Sequence, residues 1–241
     1  MRLIAVDSSG PVASVAVYVD GVVEAEYSVE HKKTHSQTLL PMLDECKKIT
    51  ELEPDTVDAI AVAAGPGSFT GLRIGAATVK GLSFALKKPV VPVPTLEAMA
   101  YRYAGVEGLI CPMMDARRSQ VYGAVYTWED GMFKEIKKAG AYPVEEIIDF
   151  LNALGEGEDL PVQAILLGDG VEANLQSLKD GMLIPYMIAP PHMCRQSAAA
   201  VAVLGEKYFS EGKVVAGEDF APEYFRVSQA ERERAEKEKQ S

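Results

Sequence analysis

Residues 3–29 read LIAVDSSGPVASVAVYVDGVVEAEYSV, and this stretch decides the fold. Residues 3–6 form a short apolar run that ends at Asp7. Residues 12–19 are rich in Val and Ala, Asp20-Gly21 follows, and residues 22–29 resume the pattern. Two β-type runs joined by Asp-Gly signal a hairpin, because these residues accept the positive φ that its tight turn needs. With the first run this predicts three consecutive strands. Residues 109–138 read LICPMMDARRSQVYGAVYTWEDGMFKEIKK and repeat the theme. An apolar run ends at Asp115, an alternating run covers 120–128, Asp130-Gly131 turns the chain, and a third run lies around 132–138. The two segments make a weak internal duplication, with no short-period repeat.

Helical patterns and short strands fill the rest. Leu39, Leu40, Leu43 and Cys46 fall at three-to-four spacing. Thr34 or Ser36 is the expected N-cap, and Pro41 should kink this helix or displace its start. Residues 58–64 read as a buried strand that ends in Gly65-Pro66-Gly67-Ser68-Phe69-Thr70-Gly71. A helix over 72–85 follows, stopped by Lys87-Lys88-Pro89, then a strand over 90–93 and a helix capped by Thr95. In the second unit Pro143 starts a helix to about Leu154, residues 164–167 form a strand before Gly168-Asp169-Gly170, and Ser197 caps a helix through Phe209. This predicts an α/β protein of two units, 1–105 and 106–227, with the last helix returning to the first unit. Residues 228–241 are a charged tail.

The 241 residues are 48% hydrophobic and 24% charged, ordinary globular usage. The formal net charge of -11 argues against a chain that grips RNA by itself, since that needs a basic footprint. Cys46, Cys111 and Cys194 suggest neither a disulfide framework nor a metal knuckle. The N-terminus lacks the apolar core of a signal peptide and no run suits a membrane span, so a cytoplasmic location is expected.

Two stretches are candidates for chemistry. In Asp7-Ser8-Ser9-Gly10 an acid and two hydroxyls enter a turn at a strand end, an arrangement able to hold a metal-bound phosphate. An ordinary Asx or Ser turn is the plain alternative. Residues 65–75, GPGSFTGLRIG, lie between a strand and a helix, where free N–H groups favour anions. Close packing of the helix explains the glycines equally well, and the spacing is neither a Walker A loop nor a Rossmann fingerprint. The candidate cofactor-binding residues are Asp7, Ser8, Ser9, Gly65, Gly67 and Ser68. His31 and His35 stand four apart, a spacing that suits two imidazoles on one helix face, but no third ligand is near.

Taken together, IAVDSS, HSQTLLPML, GPGSFTGLRIG, DARRSQVY and GDG resemble the TsaB family, also called YeaZ. The segments run from Leu3 to Gly170 in family order, and PEYFR at 222–226 looks like a variant of the family's PxYLR. The resemblance implies an actin-like fold of the acetate kinase, sugar kinase and Hsp70 superfamily, with two related α/β domains and mixed sheets. It also implies a non-catalytic role beside a TsaD-type catalytic subunit and a TsaE-type ATPase, in transfer of threonylcarbamoyl to N6 of adenosine 37 in tRNA. Where the catalytic paralogue carries an HxxxH metal motif, this chain has Thr95 and Met99, so no cofactor of its own is required, with ATP or ADP at the partner junction as the option. The implied partner face is His35, Leu39, Leu40, Leu43, Gly71, Arg73, Ile74 and Gly75, with helices 36–48 and 72–85 forming a four-helix contact and a homodimer when the partner is missing. Transfer RNA would be met only through the complex, and no membrane is involved.

Three rivals remain. An actin-like phosphotransferase would use Asp7, the Gly65 loop and Gly168-Asp169-Gly170 around ATP, with Asp115 as the one tempting base. A metalloprotease lacks a metal triad here. An assembly domain without a tRNA link is separated from the first reading only by the resemblance.

Overall fold

The computed structural model describes residues 1–31, 33–155 and 163–226; the charged tail at 228–241 lies outside the described residues. The chain opens with β1 (Arg2–Asp7), β2 (Ala13–Val19) and β3 (Val22–Val29), then α1 (His35–Ile49), β4 (Ala59–Gly65), α2 (Phe69–Leu86), β5 (Val90–Pro94) and α3 (Thr95–Tyr101). The second series is β6 (Leu109–Arg117), β7 (Gln120–Glu129), β8 (Met132–Pro143), α4 (Val144–Gly155), β9 (Ala164–Leu167), α5 (Asp169–Ala173), α6 (Leu175–Gly181), β10 (Tyr186–Ile188) and α7 (Pro191–Cys194), with α8 (Ala198–Ser210) last.

The strands form two five-stranded mixed sheets, ordered β3-β2-β1-β4-β5 and β8-β7-β6-β9-β10. The two orders match position for position. In each, the first strand is antiparallel to the second and parallel to the fourth, as β1 is to β2 and β4, and β6 to β7 and β9. This is the duplicated α/β architecture of the actin-like fold. The hairpin turns follow from sequence: Asp20 and Gly21 sit at φ 47° and 89°, and Asp130 and Gly131 at 52° and 73°.

β1 is apolar on both faces because both are covered. Ile4 and Val6 join the core under α1 and α2, with Leu39, Leu43 and Val79. Leu3 and Ala5 face the other way, against Val201 and Leu204 of α8. α8 therefore packs on the first sheet although it follows the second, and Gly205 lets it come down onto Ala61. The short α3 serves both halves: Ala98 belongs to the first core, while Leu96, Met99 and Ala100 pack with Ile110 and Leu167 of the second.

Several local expectations are corrected. Pro41 sits inside α1, so it does not displace the start of the helix. Thr34 is the N-cap position but its hydroxyl makes no capping bond. The Thr95 hydroxyl does not cap α3 either; it accepts the Gly65 N–H at 3.2 Å. β10 and the short helices before α8 have no strong periodicity and were not expected. Ser197 does cap α8, accepting the Ala200 N–H.

After α8 the chain returns along the first half as a strap. Val215 bridges Val90, the Lys80 ammonium donates to Glu218 O at 3.0 Å, and Phe220 enters the core at 2% exposure. Glu223 donates its N–H to Ala64 O at 2.7 Å, and Tyr224 packs on Phe69 with ring centroids 4.7 Å apart. Phe225 then meets Tyr122 and Arg226 donates to Ala116 O, both in the second half.

Leu39 is 1% exposed and anchors α1 to the sheet. Leu39→Ala should lose about 2–5 kcal/mol of stability in a urea titration of the isolated chain. A loss below about 1 kcal/mol would place this side chain on the surface instead.

Candidate functional site

β1 delivers Asp7 into a turn that closes on itself. Asp7 Oδ1 accepts the Ser9 N–H at 2.9 Å and the Ser9 hydroxyl at 2.6 Å, an Asx-type turn. The Ser8 hydroxyl donates to Gly71 O at 2.8 Å. Asp7, Ser8 and Ser9 are 1%, 2% and 0% exposed. Burial pushes the Asp7 carboxyl up to about 6, opposed by the Ser9 hydrogen bonds and the field of His35.

The glycine loop lies flush against this turn. Ser68 donates its N–H to Ser9 O at 2.6 Å, and its hydroxyl accepts the Gly71 N–H at 3.3 Å to cap α2. A Cβ at Gly67 would overlap Ser9 O, one at Gly71 would overlap Ser8 O, and one at Gly75 the Ser8 hydroxyl. Gly65, at φ +125°, passes just as closely under Glu223 O. The structure thus brings Asp7, Ser8, Ser9, Gly65, Gly67 and Ser68 together, in an Asx-type turn with α2 packed closely on it. The Asp7 Oδ1, the Ser8, Ser9 and Ser68 hydroxyls and the Ser9, Gly65 and Ser68 N–H groups are all held by internal hydrogen bonds, and the acid is sealed. As arranged, they do not fit a nucleotide phosphate.

His35 opens α1 with Nε2 2.9 Å from Gly10 O, while exposed His31 precedes the helix, so the two do not share a helical face. Beside Gly10 lies Gln196, which sequence reasoning passed over. It is 3% exposed, and neither its Nε2 nor its Oε1 finds a partner among the described residues; nor does His35 Nδ1. This contact joins distant segments, and no local pattern encodes it.

The second half repeats the turn chemistry. Asp115 Oδ1 accepts the Arg117 N–H at 2.7 Å, the same two-residue reach as Asp7 to Ser9, and the Arg117 guanidinium lies 3.2 Å from its other oxygen. The acid that a phosphotransferase would need as base is therefore held as a turn anchor. Gly168, at φ +101°, matches Gly65, and burial raises the Asp169 carboxyl beside it. The turn itself is unusual. Arg117, Arg118 and Ser119 have φ of 66°, 58° and 54°, a region that costs a non-glycine residue about 1–2 kcal/mol. At the place of the HxxxH motif, Thr95 is bonded to Gly65 and Met99 is 1% exposed in the core.

Comparison with known proteins places this geometry. Residues 24–232 match the family profile described as TsaD: tRNA N6-adenosine threonylcarbamoyltransferase. The tRNA threonylcarbamoyladenosine biosynthesis protein TsaB of Bacillus subtilis is 31% identical over 233 residues, 96% of this chain and 96% of that one. The chain belongs to the TsaB family. The Escherichia coli TsaB is 28% identical over 94% of this chain and 95% of its own. The solved structure of YeaZ from Pseudomonas aeruginosa superposes with a TM-score of 0.73 at 27% identity, covering 92% of this chain and 99% of that one.

Within this TsaB chain the expected partner face needs correction residue by residue. Leu39 and Leu43 are 1% and 7% exposed, because they lie on the α1 stripe that seals the sheet. Gly71 and Gly75 face Ser8, Ile74 packs against the same core, and His35 is half-buried on Gly10. Leu40 and Arg73 do face outward; Leu40 is 53% exposed, and the Arg73 guanidinium lies 4.0 Å over the Phe69 ring. The outward stripe of α2 continues through exposed Ala77 and Gly81 to Phe84, 88% exposed. A Cβ at Gly81 would meet nothing within 4 Å.

The Asp7 carboxyl is raised from 3.8 to about 6 in the folded chain. Its contribution to stability is full below the unfolded value and is lost as pH rises through the folded one. Asp7→Asn removes that dependence. Its unfolding free energy should gain on the wild type by on the order of 2 kcal/mol between pH 4 and pH 7, read by urea titration. A difference that stays flat with pH would mean that Asp7 titrates normally.

Proposed function

We propose that this chain is the non-catalytic subunit of the tRNA N6-threonylcarbamoyladenosine synthesis complex, docking a TsaD-type catalytic subunit through the outer layer of α1 and α2. The observation that carries the reading is the stripe Arg73, Ala77, Gly81, Phe84. These residues recur at four-, four- and three-residue steps, so they share one face of α2. The small residues at its centre let another helix approach closely, Phe84 supplies an aromatic anchor at one end, and Arg73 a guanidinium at the other. Leu40 of α1 adds a second exposed apolar side chain on the same layer, which covers one face of the first sheet.

The site beneath supports a scaffold rather than a reaction centre. The acid, hydroxyls and glycines are used to seat α2, and Thr95 and Met99 offer no metal ligands of the kind the catalytic paralogue has. No cofactor of the chain's own is part of this reading. TsaE-type ATPase joins the pair in the complex. The same face brings two copies together when the partner is missing.

Phe84→Glu and Leu40→Glu test the docking face directly. Each should weaken association with the TsaD-type subunit by about 1–4 kcal/mol in a calorimetric titration, while the unfolding free energy of the monomer, read at a concentration where the chain does not self-associate, stays unchanged. In a reconstituted reaction, threonylcarbamoyladenosine should form only when the chain is present and should fall with either variant. If both variants bind and support product like the wild type, α1 and α2 are not the interface. Product without the chain would remove the subunit role itself.

A further inference from the structure

We propose that the β6–β7 turn is a phosphate-contact site, through which this chain touches the RNA backbone once it stands in its complex. The first observation is conformational. The β2–β3 and β7–β8 hairpins turn on Asp-Gly, whereas this one turns on Arg118-Ser119 with Arg117 before it, all three left-handed. Glycine or asparagine would sit there with less strain. The turn retains arginines at the expense of backbone comfort.

The second observation is that the turn is pinned. Asp115 holds the Arg117 N–H, Ser119 O accepts the Val144 N–H at 3.2 Å, and Arg226 donates to Ala116 O at its base. Strain that is held from three sides pre-organises side chains, which is how strained backbone serves functional sites.

The third is chemical. Arg117 and Arg118 are both exposed. Arg117 shares its guanidinium with Asp115 at 3.2 Å, while Arg118 makes no ion pair among the described residues. The turn is polar to its tip and lacks the desolvated apolar centre of a protein hot spot. A guanidinium fork fits a phosphate bidentately, and phosphate contacts set the position of a nucleic acid without reading its sequence. The net charge of -11 fixes the scale: the chain alone repels RNA on average, so the turn adds to binding that the complex carries. This rests on the reading of the chain as a subunit of that complex, and adds a contact to it.

The test uses the chain joined to its TsaD-type partner, with transcribed full-length tRNA as the probe, followed by fluorescence anisotropy from about 50 to 200 mM salt. Arg118→Asn removes the fork but tolerates the left-handed backbone, so folding is not in question. The tRNA Kd should rise about threefold to tenfold, and the slope of log K against log salt should become shallower by about 0.7–0.9. Partner affinity should not move. Ser119→Gly keeps both arginines but relaxes the turn that pre-organises them; it should raise Tm and raise the tRNA Kd by less than Arg118→Asn does. An unchanged Kd and slope in Arg118→Asn would overturn the proposal. So would a loss of partner affinity with tRNA binding per complex intact, which would make the turn a protein contact. If the wild-type chain failed to join the partner, the subunit reading would fall first and this proposal with it.

Discussion

The seat of α2 on the first hairpin is the contact on which the rest of the structure depends. Ser8 and Ser9 present two carbonyls and a hydroxyl to the helix, and Gly67, Gly71 and Gly75 remove the atoms that would hold it off. Glycine in a helix carries an intrinsic penalty of roughly 0.8–1.0 kcal/mol relative to alanine. Here it is offset by hydrogen bonds and close packing that no other residue permits. The seat closes the acid of β1 away from solvent, and it sets the rotation of α2. Once Gly71 and Gly75 face the hairpin, Arg73, Ala77 and Phe84 have to face outward.

One joint therefore accounts for both what the site is not and what the helix layer offers. In this TsaB chain the strand-end turn is a packed junction. The duplicated second half keeps the corresponding acid, Asp115, and also uses it on a backbone N–H two residues ahead. Both halves spend the strand-end carboxylate on holding a turn.

Much of this was legible in the residues. Asp20-Gly21 and Asp130-Gly131 can hardly be read except as tight hairpins, and the twin strand runs ending at Asp7 and Asp115 announced the paired sheets. In α1 the spacing groups Leu40 with Leu39, Leu43 and Cys46 and offers Leu39, Leu40 and Leu43 to a partner, but three of the four are buried. Leu39, Leu43 and Cys46 share one face, and Leu40 stands about 100° away from Leu39 around the axis, so only Leu40 could be outside once the sheet was covered. The glycines of 65–75 were ambiguous because close approach to a ligand and close approach to the chain itself demand the same residue. Gln196 against Gly10, and Glu223 over Gly65, were out of reach because they join segments with no local signal. β10 is three residues long and half-exposed, too short to show a period.

The return of α8 and the strap to the first sheet has a consequence for how the chain is made. Residues 2–94 supply all five strands of that sheet, yet one of its faces waits for residues 198–210, and Phe220 arrives later still. During synthesis the ribosome delivers an incomplete first half, then the whole of the second, before the covering pieces emerge. Contacts of such long sequence separation form slowly, and an uncovered apolar sheet is a place where nascent chains go astray. The interleaving that unites the two halves also makes late-emerging residues responsible for finishing early ones.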